Sequence, residues 1–67
     1  MIIVNGQPAD VDAGETVMMV LVRLGVESEA RGVAVAVDGE VIPRSQWSEF
    51  ALDRDARVEV VTAMQGG

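Results

Sequence analysis

The reactive side chains that most enzymes draw on are missing from this chain, which has no histidine, cysteine or tyrosine and whose five cationic residues are all arginine. Without imidazole, thiolate or amine it lacks the usual general bases, nucleophiles and Schiff-base formers, and it does not read as an independent catalyst. The group best placed for chemistry is the main-chain carboxylate that follows Gly66 and Gly67. A carboxylate is a poor acyl donor until one oxygen becomes a leaving group, as in an acyl-adenylate made from ATP by a partner enzyme. Sulfur can then replace the adenylate, leaving a thiocarboxylate. A glycine pair suits a carboxylate that must enter another protein's nucleotide site, because a backbone without Cβ is thin and free in φ. No side chain of the chain itself is needed for these steps.

The other candidates have simpler readings. Asp10 with Asp12, and Asp53 with Asp55, are carboxylate pairs two residues apart. Neither has enough further oxygen ligands around it to hold a hard cation, and both read as turn and edge residues. No metal and no bound cofactor is expected. Thr16, Ser28, Ser45, Ser48 and Thr62 have no histidine to activate them and read as caps and turns. Met18 and Met19 read as core filler on a helix. Met64 falls outside every expected strand and reads as an apolar anchor in a partner. Arg44 is open between a partner contact and a pair with a surface carboxylate.

At 67 residues the chain has room for one domain with a small core. With 49% hydrophobic residues and a formal net charge of -6 it is too apolar for a disordered tail. Eleven acidic residues against five arginines argue against nucleic acid, whose affinity rests on cationic contacts to phosphate, and point to basic protein partners. The absence of cysteine and histidine removes disulfides and structural zinc as supports. It also fits a reducing compartment, and residues 1–7 lack the basic start and apolar stretch of a signal peptide, so a cytoplasmic protein is expected. The longest apolar run, residues 17–22, is far below the roughly 20 residues that cross a bilayer.

The elements that must carry the carboxylate follow from periodicity. Residues 1–4 are an apolar, β-branched strand; Asn5-Gly6 is the pair that makes a type I′ hairpin turn; a second strand runs over about 7–11, with Pro8 marking an edge. A helix of about ten residues opens at Glu15 or Thr16. Its stripe of Val17, Val20, Leu21 and Leu24 faces the sheet, Met18 and Val22 widen the buried face, and Gly25 caps it. After a polar connection over 27–31, residues 33–37 read as a central strand buried on both faces. Asp38-Gly39 turns into a short strand at 40–42 that Pro43 stops, and Trp47 and Phe50 cap one end of the core. Residues 58–62 form the last strand, with Val58 and Val60 on one face and Glu59 and Val61 on the other. Two hairpins, one helix and a distant last strand lying parallel to the first describe an α+β, β-grasp roll, a mixed sheet of about five strands with one main helix packed across it. The domain spans residues 1–62, and residues 63–67 read as a flexible tail.

The segment Ile42-Pro43-Arg44 followed by Trp47, the buried strand 33–37 before it, the length and the closing Gly66-Gly67 together resemble the ThiS family, ubiquitin-like sulfur carriers of thiamine biosynthesis. The resemblance runs the whole length. It implies a protein cosubstrate rather than an enzyme, with Gly67 adenylated by an E1-like adenylyltransferase (ThiF-like) that uses ATP and magnesium, then converted to a thiocarboxylate with sulfur from a donor protein. The sulfur then passes to thiazole synthase (ThiG-like). It further implies that Met64, Gln65 and Gly66 enter the partners' sites. Carriers for molybdopterin or cysteine synthesis and for tRNA thiolation share the roll and the glycine pair. A carrier for one of those pathways, or a ubiquitin-like binding module that carries no sulfur, is the alternative reading.

Overall fold

The computed structural model describes residues 1–27 and 32–62. Two short hairpins form where the sequence places them. β1 (Ile3–Val4) and β2 (Gln7–Pro8) are joined through Asn5 and Gly6, whose φ angles of +51° and +81° are those of a type I′ turn. β3 (Val33–Val37) and β4 (Glu40–Val41) are joined in the same way through Asp38 and Gly39. With β5 (Arg57–Thr62) they make one five-stranded sheet in the order β2-β1-β5-β3-β4. β5 is its middle strand, parallel to β1 on one flank and antiparallel to β3 on the other. This is the ubiquitin-like β-grasp roll.

One helix, α1 (Val17–Arg23), covers one face of the sheet. Its start is set by Thr16, whose hydroxyl accepts from the Met19 N–H, and its end by a left-handed Gly25 at φ +74°. Gly25 N–H donates to the Val22 carbonyl and Val26 N–H to the Leu21 carbonyl, the paired bonds that satisfy a helix end when the next residue turns left-handed. These two caps hold α1 to seven residues, shorter than the ten expected.

Val17, Val20 and Leu21 of the helix stripe are buried against Ile2, Val4, Val35, Val37, Ile42, Trp47, Leu52, Ala56 and Val58. Full burial of a side chain such as Leu21 stabilises by about 1.5–3 kcal/mol. Leu24 and Val22 depart from expectation. Leu24 lies past the last helical residue and is half-exposed, and Val22 is 70% exposed, so the helix buries a single stripe and Met18 alone packs partly at its margin. β3 also departs: Val35 and Val37 are buried, whereas Ala34 is exposed and Ala36 half-buried, because nothing among the described residues covers the face of the sheet away from α1. β2 is shorter than the five residues expected. Ala9 still donates to the Ile2 carbonyl, and the chain then leaves the sheet to reach the helix. No helix among the described residues is long and apolar enough to cross a membrane.

The chain's two prolines sit on the two edges of the sheet. In β2 the residues beside Pro8 turn their main chain inward, Gln7 opposite Val4 and Ala9 onto Ile2, so Pro8 presents the edge and offers no N–H. In β4 Ile42 N–H donates inward to Val35, and Pro43 follows at the next outward position. Both edges are thus shortened as templates for a further strand.

Glu15, nearly buried ahead of the helix, closes the entry loop. Its carboxylate accepts from the Asp12 N–H at 2.6 Å and from Arg23 Nε at 3.0 Å. The Asp12 N–H, then Arg23, hold its pKa below the ordinary 4.5 against the opposing effect of burial. A depressed folded-state pKa contributes stability that is present above the unfolded value and lost as pH falls through the folded one. In Glu15→Gln the denaturant midpoint at neutral pH should therefore fall, and the loss of stability between about pH 5 and pH 3 should be shallower than in the wild type. Denaturant titrations across that range check this, and parallel curves would show no net contribution from the carboxylate. Leu21→Ala, which empties the centre of the core, should cost about 2–5 kcal/mol in the same titration.

Candidate functional site

The place from which residue 63 departs is the end of β5, and its support is asymmetric. On one flank β3 pairs with β5 to the last residue, Val33 opposite Thr62. On the other, β1 pairs only through Ile3 opposite Arg57 and Val4 opposite Val58, because the chain turns away at Asn5. Asn5 extends the pairing past that turn. Its N–H donates to the Val58 carbonyl at 2.9 Å, and its side-chain Oδ1 accepts from the Val60 N–H at 2.8 Å. A side-chain amide thus does the work of one more strand residue and holds the middle strand straight toward its end.

The alternation along β5 decides what surrounds that exit. Val58 and Val60 turn to the core, while Arg57, Glu59 and Val61 turn to the open face. Register places Ala34 beside Val61, and Ala36 beside Glu59 on one side and Val41 on the other. Val61 and Val41 are 58% and 70% exposed. The open face is therefore a low, mostly apolar floor whose far end leads into residue 63, and such a floor suits a protein partner better than a small ligand.

The segment that carries most of the resemblance proves to be a clasp on the helix. Trp47, 1% exposed, donates Nε1–H to the Ile42 carbonyl at 2.8 Å. A 3-10 turn over Arg44–Gln46 brings the Trp47 and Phe50 carbonyls to the helix start, where they accept from the Met18 and Val17 N–H groups. These are donors that an α-helix leaves unpaired at its first turn. The Arg44 guanidinium lies 4.7 Å from the centre of the Trp47 ring, a cation–π contact beyond the two readings open from sequence.

Met64, Gln65, Gly66 and Gly67, and the boundary at residue 63, lie outside the described residues, as does most of the connection expected over 27–31. Of the carboxylate pairs, Asp55 accepts from the Met1 amino group at 2.8 Å. Among the described residues no three His, Cys, Asp or Glu side chains come together in a way that can hold a metal ion. Sequence reasoning missed Asn5 as a support of the exit, since Asn-Gly signals only a turn. The open face was half visible in the alternation of Glu59 and Val61 with Val58 and Val60.

Asn5→Ala should remove the Val60 bond and strain the positive φ, costing about 1–3 kcal/mol, whereas Asn5→Gly relieves the strain but not the lost bond. Amide exchange at Val60 should accelerate in both variants. An unchanged Val60 rate in Asn5→Gly would mean that β3 alone holds the end of β5.

The ThiS family model matches residues 2–67. A thiazole synthase from Paramagnetospirillum magneticum is 33% identical over 66 residues, which are 98% of this chain and 20% of that protein, so the chain spans one fifth of that relative's length. The crystal structure of a thiamine biosynthesis protein (ThiS) from Geobacter metallireducens is similar at a TM-score of 0.74 and 34% identity, covering 98% of this chain and 97% of that one. An NMR solution structure of a thiamine biosynthesis protein from the same organism gives 0.75 and 34%, covering 98% and 86%. Sequence and fold agree over the same span, and the chain belongs to the ThiS family.

Proposed function

We propose that the chain is a sulfur carrier protein of thiamine thiazole biosynthesis, a cosubstrate that partner enzymes load and unload. The observation that carries this reading is the family match through residue 67, which takes in the Gly66-Gly67 pair. The middle strand of the sheet leads to that pair, and the chain's lack of histidine, cysteine and lysine is no obstacle, since its own side chains are not asked to react.

In this mechanism an E1-like adenylyltransferase of the ThiF type binds ATP and magnesium. The Gly67 carboxylate oxygen attacks the α-phosphate, pyrophosphate leaves, and an acyl-adenylate forms. Sulfide, delivered by a donor protein, displaces AMP and leaves the thiocarboxylate. Gly66, Gln65 and Met64 occupy the partner's channel, Met64 as the apolar anchor, and residues 63–67 act as a tail separate from the 1–62 domain. The thiocarboxylate then gives its sulfur to a thiazole synthase of the ThiG type. The resemblance to a longer protein called thiazole synthase supports that recipient. The proposal takes this work to be cytoplasmic, in keeping with the absence of cysteine.

Incubation with an E1-like adenylyltransferase, ATP, magnesium and a sulfide source, followed by intact mass and fragmentation, should show one oxygen replaced by sulfur at Gly67. A chain lacking Gly67 should fold as the wild type does and take no sulfur. Loading retained after that deletion, or located elsewhere, would overturn the assignment.

A further inference from the structure

On the helix side of the sheet a groove of about 540 Å3 runs between the first hairpin and the end of α1. Val4 and Val20 are buried at its base, Ala9 and Val11 line one side, and the half-exposed Leu24 lines the other. That size suits a ligand of several residues rather than an ion. Two charged side chains border it. Arg23 lies on the helix side with its side chain half-exposed, and its bond to Glu15 uses Nε at 3.0 Å. A guanidinium has five N–H donors, so Arg23 can take a second carboxylate while keeping the first. Asp10, exposed on the hairpin side, repels an anion and confines it to the Arg23 end.

The chain carries a segment of matching chemistry within reach. Residues 63–67 follow Thr62 and bring one large apolar side chain in Met64, no charged side chain, two glycines that need little width, and the carboxylate after Gly67. The groove opens beside their point of departure, because Asn5 both lines it and accepts from the Val60 N–H. β2 is two strand spacings from β5, about 10 Å, and Thr62 lies three residues past the level of Asn5, about 10 Å more. The path is therefore about 14 Å, and five extended residues reach about 17 Å. The tether also raises the local concentration of the terminus to the millimolar range, above that of a free peptide competing for the groove.

We propose that the groove is a binding site for a C-terminal peptide and that its occupant in the free chain is residues 63–67, with Met64 against Leu24 and the terminal carboxylate on Arg23. The assignment does not depend on sulfur chemistry. In a carrier, the docked segment withholds the terminus until a partner displaces it.

Because the chain has no cysteine, Gln65→Cys takes a nitroxide label at one position of the full-length protein. In its proton–nitrogen NMR spectrum the amide signals of Ala9, Val11 and Leu24 should fall to about half or less of their intensity after the label is reduced. Those of Val41 on the open face and of Asp53 should keep about nine-tenths. In unlabelled protein, Met64→Ser should shift the Leu24 amide and leave Asp53 unmoved. Arg23→Gln should reduce the broadening at Leu24 about threefold or more. Glu15→Gln breaks the same ion pair but keeps the guanidinium, so the broadening should persist. Equal losses in Arg23→Gln and Glu15→Gln would trace the effect to packing of the entry loop and overturn the assignment. Broadening that peaks at Ala34, Val41 and Val61, or that has no maximum, would overturn it too. None of these readouts involves loading, so either result leaves the carrier reading to its own test.

Discussion

A single seven-residue helix can cover one face of a sheet and no more, and that limit shapes the molecule. With 67 residues and neither disulfide nor zinc to lean on, the chain builds a one-sided core in which α1 lies across β1, β5 and β3 and Trp47 is drawn in from the end. Alternation then fixes the rest. Each strand sends every second side chain into that core, and the others are left on a face that nothing in the described chain covers. Economy of core and availability of a docking face are thus one consequence of the same shortage of residues.

The parallel pairing of β1 with β5 does for the last strand what the helix does for the core. A strand at the edge of a sheet would release residue 63 from a weakly held margin, whereas β5 has a neighbour on both sides and α1 beneath it. The β1 flank fails after Val58 because the first hairpin turns at Asn5, and the same residue that makes the turn repairs the loss by accepting from Val60. A turn residue therefore helps hold the later half of the middle strand. Alanine or serine at position 5 would suit neither the positive φ nor the reach of that bond.

Features governed by local rules were legible in the sequence. Asn5-Gly6 and Asp38-Gly39 read as type I′ turns, Val17, Val20 and Leu21 as a buried stripe, Gly25 as a helix stop, and Val58 and Val60 against Glu59 and Val61 as two faces of one strand. What the sequence concealed depends on tertiary partners. Nothing local says that the carbonyls of Trp47 and Phe50 meet the first turn of the helix, nor that β3 is covered on one side only until α1 is placed. An all-apolar run such as Val33–Val37 fits a strand buried on both faces equally well, because alanine at 34 and 36 is too small to report its own exposure. For the candidate site, sequence indicated the last residues and left their supports unseen, since support here comes from a side-chain bond across 55 positions and from register.

A carrier without reactive side chains places its specificity outside its chemistry. In the mechanism proposed above, a site that accepts a bare glycine terminus has little side chain to read, so what distinguishes one carrier from another would lie on the folded surface. The prolines narrow that surface to a face, the small residues at 34 and 36 keep it low enough for close approach, and Val41 and Val61 give it apolar contact. Contact area of this kind promotes association without choosing a partner.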